Sequence, residues 1–212
     1  LHMKELFLTI TVIFAVYIVI VAVLLYLFGS RNPIDNFSPE HLIDNFSLAM
    51  STLATGGFTP TSTILDDLLW QEHIILMGAM ILGALPFTFH YAFVRKKFLS
   101  PKLGKEVLTY FGILGGATIL FILVSGLEPL QSAFYSVSAS TTAGLQQESL
   151  AGLNGGAHTI LIILMFIGGC GFSTAGGFKI FRLFHLQNCR SFFNKIKRQE
   201  LSVQSKKELM ST

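Results

Sequence analysis

Five glycines fall within Phe166 to Lys179, FIGGCGFSTAGGFK, and interrupt an apolar run that is otherwise built to cross a bilayer. In hydrocarbon every unsatisfied backbone N–H or C=O costs several kcal/mol unless protein or a water-filled cavity covers it. Small residues also let helices pack closely, but packing needs them spaced along one face. Gly168, Gly169, Gly171, Gly176 and Gly177 fall on every side of a helix. The spacing predicts an unwound loop that lines a cavity or pore.

The rest of the chain supports a membrane setting. Of 212 residues, 51% are hydrophobic and 13% charged, against about 25% charged in an average soluble chain. The charges lie between long apolar runs. Residues 1–5 are set aside as a leader or cloning remnant. Leu6 to Phe28 is long enough to span, since about 20 apolar residues suffice. His41 to Ala54 is moderately apolar and too short, which favours a re-entrant or interfacial helix. Ile74 to Val94 reads as the second span, with Pro86 inside it and Arg95-Lys96-Lys97 after it. The same parts recur: a span over Val107 to Val124, a short helix over Leu127 to Ser140, and a long run over Thr159 to Ile180 that carries the glycine break.

Each short helix ends at a threonine-glycine turn. Ala54-Thr55-Gly56-Gly57-Phe58 aligns with Thr141-Thr142-Ala143-Gly144-Leu145 at a fixed offset along the chain, and internal repetition of this kind is a signature of membrane transport. The expected fold is all-α integral membrane, with two tandem repeats of transmembrane helix, re-entrant pore helix and loop, and transmembrane helix. Their bounds are 6–97 and 98–185, followed by a basic tail at 186–212. Eight acidic residues against Arg31 flank the short helices, whereas the loop at 95–106 and the tail are basic. The positive-inside rule then places the basic side and both termini in the cytoplasm.

Glycine turns can present carbonyls that replace the water shell of a cation. Acidic residues outside would raise the local cation concentration. The bland alternative is that each glycine simply caps a short helix. Two such turns at matching points, both on the acidic side, favour the ion path. Cys170 and Cys189 form no disulfide framework, and no Cys/His pattern suggests a metal cluster. GGCGFSTAGG follows no strand and has no GxGxxG spacing, which sets aside a dinucleotide fingerprint. His73, His90 and His158 near helix ends suit packing or helix-terminus roles, and Trp70 suits an interfacial anchor.

Three stretches carry a family resemblance: SLAMSTLATGGFTP, YSVSASTTAGLQ and FIGGCGFSTAGGFKIFR, with LGALPFTFHY in support. They resemble the second and third pore-loop repeats of the Trk/Ktr/HKT superfamily of potassium and sodium transporters. The resemblance implies a selectivity filter at Thr55, Gly56, Gly57, Thr141, Thr142, Ala143 and Gly144. It also implies a gate at Gly168, Gly169, Cys170, Gly171, Ser173, Thr174, Gly176 and Gly177, with Lys179 at its cytoplasmic end. Leu145 stands where phenylalanine is common in that family.

Potassium, or sodium, would be the only ion held, through backbone oxygens, with no organic cofactor and no nucleic acid. The family pore uses four repeats, so the missing walls must come from the remaining repeats of a longer protein or from a second copy. A cytosolic nucleotide-binding regulatory subunit and a plasma-membrane location are implied with it. The competing readings are a membrane-embedded enzyme that binds a phosphorylated substrate at the glycine segment, and a non-conducting assembly module. The enzyme reading lacks a carboxylate pair, a metal cluster and a base beside Ser173, so an enzyme is not expected.

Overall fold

The structure, a computed structural model, describes residues 3–29, 39–60, 65, 68–95, 100–147 and 150–182. The basic tail from 186, with Cys189, lies outside the described residues, as do 61–64 and 96–99. Among the described residues all regular structure is helical: α1 Met3–Phe28, α2 Pro39–Leu53, α3 Trp70–Ala84, α4 Phe87–Val94, α5 Pro101–Ser125, α6 Pro129–Ser140 and α7 Gly155–Ile167.

Local chemistry sets the ends of these helices. Ser100 caps α5 by accepting a hydrogen bond from Leu103 N–H at 3.4 Å, and Pro101 occupies its first turn. Gly126 ends it in the left-handed region, φ 68°, the conformation glycine adopts without a Cβ penalty. Pro129 starts α6, where a missing N–H costs nothing.

α1 and α5 are long and apolar enough to cross a bilayer. The expected span over Ile74 to Val94 is instead two helices, α3 and α4, bent by 101°. Pro86 is the cause. Its ring removes a backbone donor and forces Leu85 into extended backbone, φ −78° and ψ 152°. α7 is likewise shorter than the run that suggested it: 13 residues rise only about 20 Å, less than the ~30 Å hydrocarbon core. The remainder, up to Ile180, is the glycine loop.

The helices pack in two groups, α1 with α2 and α3, and α5 with α6 and α7, joined by α3 against α6. One core, with Leu25, Leu48, Leu53, Leu76, Met80, Tyr110, Phe134 and Val137, runs through both groups. A smaller one under α7 holds Phe121, Tyr135, Ala139, Leu161 and Leu164. α6 is enclosed, with every residue from Phe134 to Ser140 buried. By contrast, large apolar side chains stand out from α1 (Phe7, Val16, Leu27), α5 (Leu108, Leu123) and α7 (Ile162, Phe166). Exposed apolar surface on that scale suits lipid, not water.

Candidate functional site: two turns and the loop beneath them

The two threonine-glycine turns have the same backbone. Thr55 and Thr142 have φ of 52° and 56°, and Gly57 and Gly144 have φ of 72° and 75°. Their hydrogen bonds correspond as well. Thr55 N–H donates to Thr52 O at 3.2 Å and Thr142 N–H to Ala139 O at 3.0 Å; Gly56 N–H donates to Ser51 O at 2.7 Å and Ala143 N–H to Ser138 O at 3.0 Å. Each threonine hydroxyl donates to the preceding carbonyl at 2.7 Å. A left-handed non-glycine residue costs about 1–2 kcal/mol, and strain of this kind persists only where the surroundings hold it. The two turns also touch: a Cβ on Gly57 would overlap the carbonyl oxygen of Ala143.

The segment after α7 supplies the holding contacts. Thr55 Oγ1 donates to Thr174 O at 3.1 Å, and Gly176 N–H donates to Thr142 Oγ1 at 2.6 Å. The glycine loop therefore grips both strained threonines. Its own base is pinched shut, because Phe178 N–H donates to Phe166 O at 2.8 Å and Lys179 N–H to Ile167 O at 2.9 Å. Gly168 and Gly177, at φ 70° and 80°, approach so closely that a Cβ on Gly168 would overlap Gly176 O.

The break at Pro86 and this loop complete one another. Ending α3 at Ala84 frees carbonyls that a membrane interior cannot hydrate. Thr174 N–H reaches Gly83 O and Cys170 N–H reaches Ala84 O, both at 3.1 Å, while Phe87 N–H donates to Phe172 O at 2.8 Å. His90 does the same for Leu82, with Nε2 3.0 Å from that carbonyl. A carbonyl only accepts, so Nε2 carries the proton and Nδ1 accepts from Tyr17 Oη, 3.3 Å away.

Residues 122–210 match the TrkH family model, described as "Cation transport protein". The potassium uptake protein TrkI of Halomonas elongata is 30% identical over 172 residues, 77% of this chain and 33% of that protein. The chain resembles TrkH-family proteins along most of its length. The crystal structure of the potassium transporter TrkH from Vibrio parahaemolyticus superposes with a TM-score of 0.68 at 26% identity, over 85% of this chain and 40% of that one. An uncharacterized cation transporter of Methanocaldococcus jannaschii is 28% identical over 82% of this chain and 34% of its own length. The chain thus spans about a third of the length of the curated relatives it matches. Those relatives are transport proteins, which removes the enzyme reading.

Of the expected filter residues, Gly57 lies against Ala143 and Gly144; Thr141 and Ala143 are buried, Thr55, Gly57 and Thr142 half-buried, and Gly56 and Gly144 exposed. Among the expected gate residues, Gly168, Gly169, Cys170, Gly171 and Ser173 are buried, whereas Gly176 and Gly177 are exposed. Ser173 Oγ donates to Cys170 O at 2.7 Å. Lys179, left-handed at φ 71°, donates from Nζ to Ser173 O at 3.1 Å.

Two contributors were absent from the sequence reading. The Leu85-Pro86 break is one. Glu106 is the other: it sits in the second turn of α5, is 8% exposed, and accepts a hydrogen bond from Gly171 N–H at 2.5 Å. Beside Lys102 and Lys105, just ahead of the expected span, it carries no signal in the sequence that singles it out.

Thr174 is a polar join between the halves, its one hydroxyl hydrogen shared between Leu53 O at 3.1 Å and Gly83 O at 2.8 Å from Oγ1. Thr174→Val is expected to lower unfolding stability by about 1–2 kcal/mol, since two buried acceptors lose a donor. Thr174→Ser should restore most of it in thermal unfolding followed in detergent.

Proposed function

We propose that this chain forms half of a cation pore for potassium uptake across the plasma membrane. Repeats at 6–97 and 98–185 would supply two of four filter loops. The pairing of turns carries the reading. Two loops of different sequence share the same left-handed positions and hydrogen bonds, meet at Gly57 and Ala143, and are clamped by one loop. A coincidental helix cap would not repeat at both threonine and glycine.

Carbonyls at Thr55, Gly56, Gly57, Thr141, Thr142, Ala143 and Gly144 would replace the ion's hydration shell. The loop from Gly168 to Gly177, held across the base of both turns, would close the path below them, and Lys179 would lie at its cytoplasmic end. The remaining loops would come from further repeats or from a second copy. The relatives' names specify potassium uptake, which favours potassium over sodium. The Trk system of which those relatives form part, together with the family resemblance, suggests a cytosolic nucleotide-binding regulatory subunit as partner. Both termini would face the cytoplasm, where the basic segments lie.

Gly144 offers the direct test. At φ 75° a side chain there is strained, yet a Cβ would meet nothing within 4 Å. Gly144→Ser should therefore fold but carry about 1–2 kcal/mol of left-handed strain that distorts the turn, and the preference for potassium over sodium should fall. Unchanged selectivity in ion-flux assays on the assembled pore would sink the filter assignment.

A further inference from the structure

The glycine loop is tied to α3, α4 and both turns by backbone and threonine contacts, all of them neutral. Two contacts differ. Glu106, on α5, receives Gly171 N–H at 2.5 Å, and Lys179 donates to Ser173 O at 3.1 Å. Phe172 lies between these two anchor points, left-handed at φ 54° and exposed. Hydrogen bonds to a charged acceptor are shorter and about twice as strong as neutral ones, so the Glu106 bond is the strongest single tie on that side of the loop. Burying a carboxylate is costly unless its bonds are made, and no part of the filter requires an acid at this position.

Beside the bond is a cavity of about 460 Å³, bounded by Pro86, Thr88, Leu103, Glu106, Phe172 and Phe181. A Cβ on Gly171 would crowd both Phe181 and Glu106 Oε1, so the loop fits against the carboxylate only because residue 171 is glycine. On the far side of the loop Gly176 abuts Thr142.

We infer that Glu106 is the positioning residue that holds the glycine loop shut, and that the adjoining cavity is the space into which the Gly171–Phe172 tip moves when this bond is released. The inference rests on reading the loop as a gate. It assigns to α5, outside both the turns and the loop, control over how often the path opens.

The test uses Cys170, which is fully buried in the closed loop, next to Gly171. The chain has two cysteines, so a Cys189→Ser background leaves Cys170 as the only thiol. Its rate of modification by a small maleimide reports loop opening. Glu106→Ala should raise that rate roughly ten- to hundredfold, the factor expected for loss of a charge-assisted bond. Glu106→Gln, which keeps a neutral acceptor, should fall between Ala and the parent. Basal cation flux through the assembled pore should rise in the same order.

A purely structural role would lower thermal stability without this graded exposure. If Glu106→Ala does not fold, amide exchange at Gly171 in Glu106→Gln decides the matter, with faster exchange expected. Cys170 equally protected in all variants, or Gly171 exchange unchanged in Glu106→Gln, overturns the inference. If removing the loop raises flux while the Glu106 variants do not, the latch alone is wrong. If loop removal is also silent, the gate reading falls with it.

Discussion

Replacing Gly57 with valine is expected to reduce potassium uptake by the assembled pore to less than about a tenth of the parent value, while Gly78→Ala leaves it unchanged. Two independent costs meet at Gly57. Its φ of 72° is a region in which an L-residue is penalised by about 1–2 kcal/mol, and branching at Cβ makes that worse. The second cost is spatial. A Cβ would overlap the Ala143 carbonyl oxygen, with Gly144 Cα close behind it, so the two turns must move apart.

On the proposed filter reading the carbonyl ring could not absorb such a shift, because its selectivity would depend on where several oxygens sit relative to one ion. Gly78 is the appropriate control. It lies inside α3 with nothing within 4 Å of a Cβ, and alanine in a helix interior is favoured over glycine by about 0.5–1 kcal/mol. Uptake measured in proteoliposomes separates the outcomes. A Gly57→Val protein within twofold of the parent would mean that the turns do not meet as the structure places them.

The turns were legible in the sequence because their glycine determinants are local. Glycine at 57 and 144 admits positive φ from local chemistry alone, whereas left-handed Thr55 and Thr142 depend on the contacts from Thr174 and Gly176, which no local pattern records. The short helices were legible for a related reason: both are too short to span, and α6 opens with Glu128 and Pro129. α3 and α4 were not separated, although Pro86 was visible in the run. A proline in a membrane helix can kink it or end it, and the choice depends on who satisfies the freed carbonyls. Here the donors are Cys170 and Thr174, some 90 residues downstream, and no periodicity records that pairing.

Glu106 was hidden in the same way. Among Lys102 and Lys105 it reads as part of a charged cytoplasmic loop, and only the placement of α5 against the glycine segment reveals it as buried. The glycine segment itself was recognised as unwound because five glycines cannot share one packing face. What it grips, the hydroxyl of Thr142 and the break after Ala84, is a property of the folded contacts alone.

Deleting Cys170 to Ala175 is expected to raise basal cation flux about tenfold or more without collapsing the fold. The geometry of the loop's base makes this a feasible cut. Gly169 and Gly176 flank the deletion, and a Cβ on Gly168 would overlap Gly176 O, so the cut ends already lie side by side. The bonds that close the base, Phe178 N–H to Phe166 O and Lys179 N–H to Ile167 O, lie outside the deleted residues, as does the stacking of Phe166 on Phe178 at 6.0 Å.

What is lost are the ties of the loop to Gly83, Ala84, Leu53, Phe87, Thr55 and Glu106. A net contribution of about 1 kcal/mol per hydrogen bond means that two of these hold the loop in place by more than a factor of ten, so on the proposed gate reading their removal would shift the path from mostly shut to mostly open. The freed carbonyls of Gly83 and Ala84 lower stability at the same time. Water entering the opened path can hydrate them, which it could not do if the segment were a packing seam facing lipid or helix. Flux and thermal stability measured on the same preparation therefore discriminate between the two roles: a gate loses stability and gains flux, whereas a packing seam loses stability and gains none.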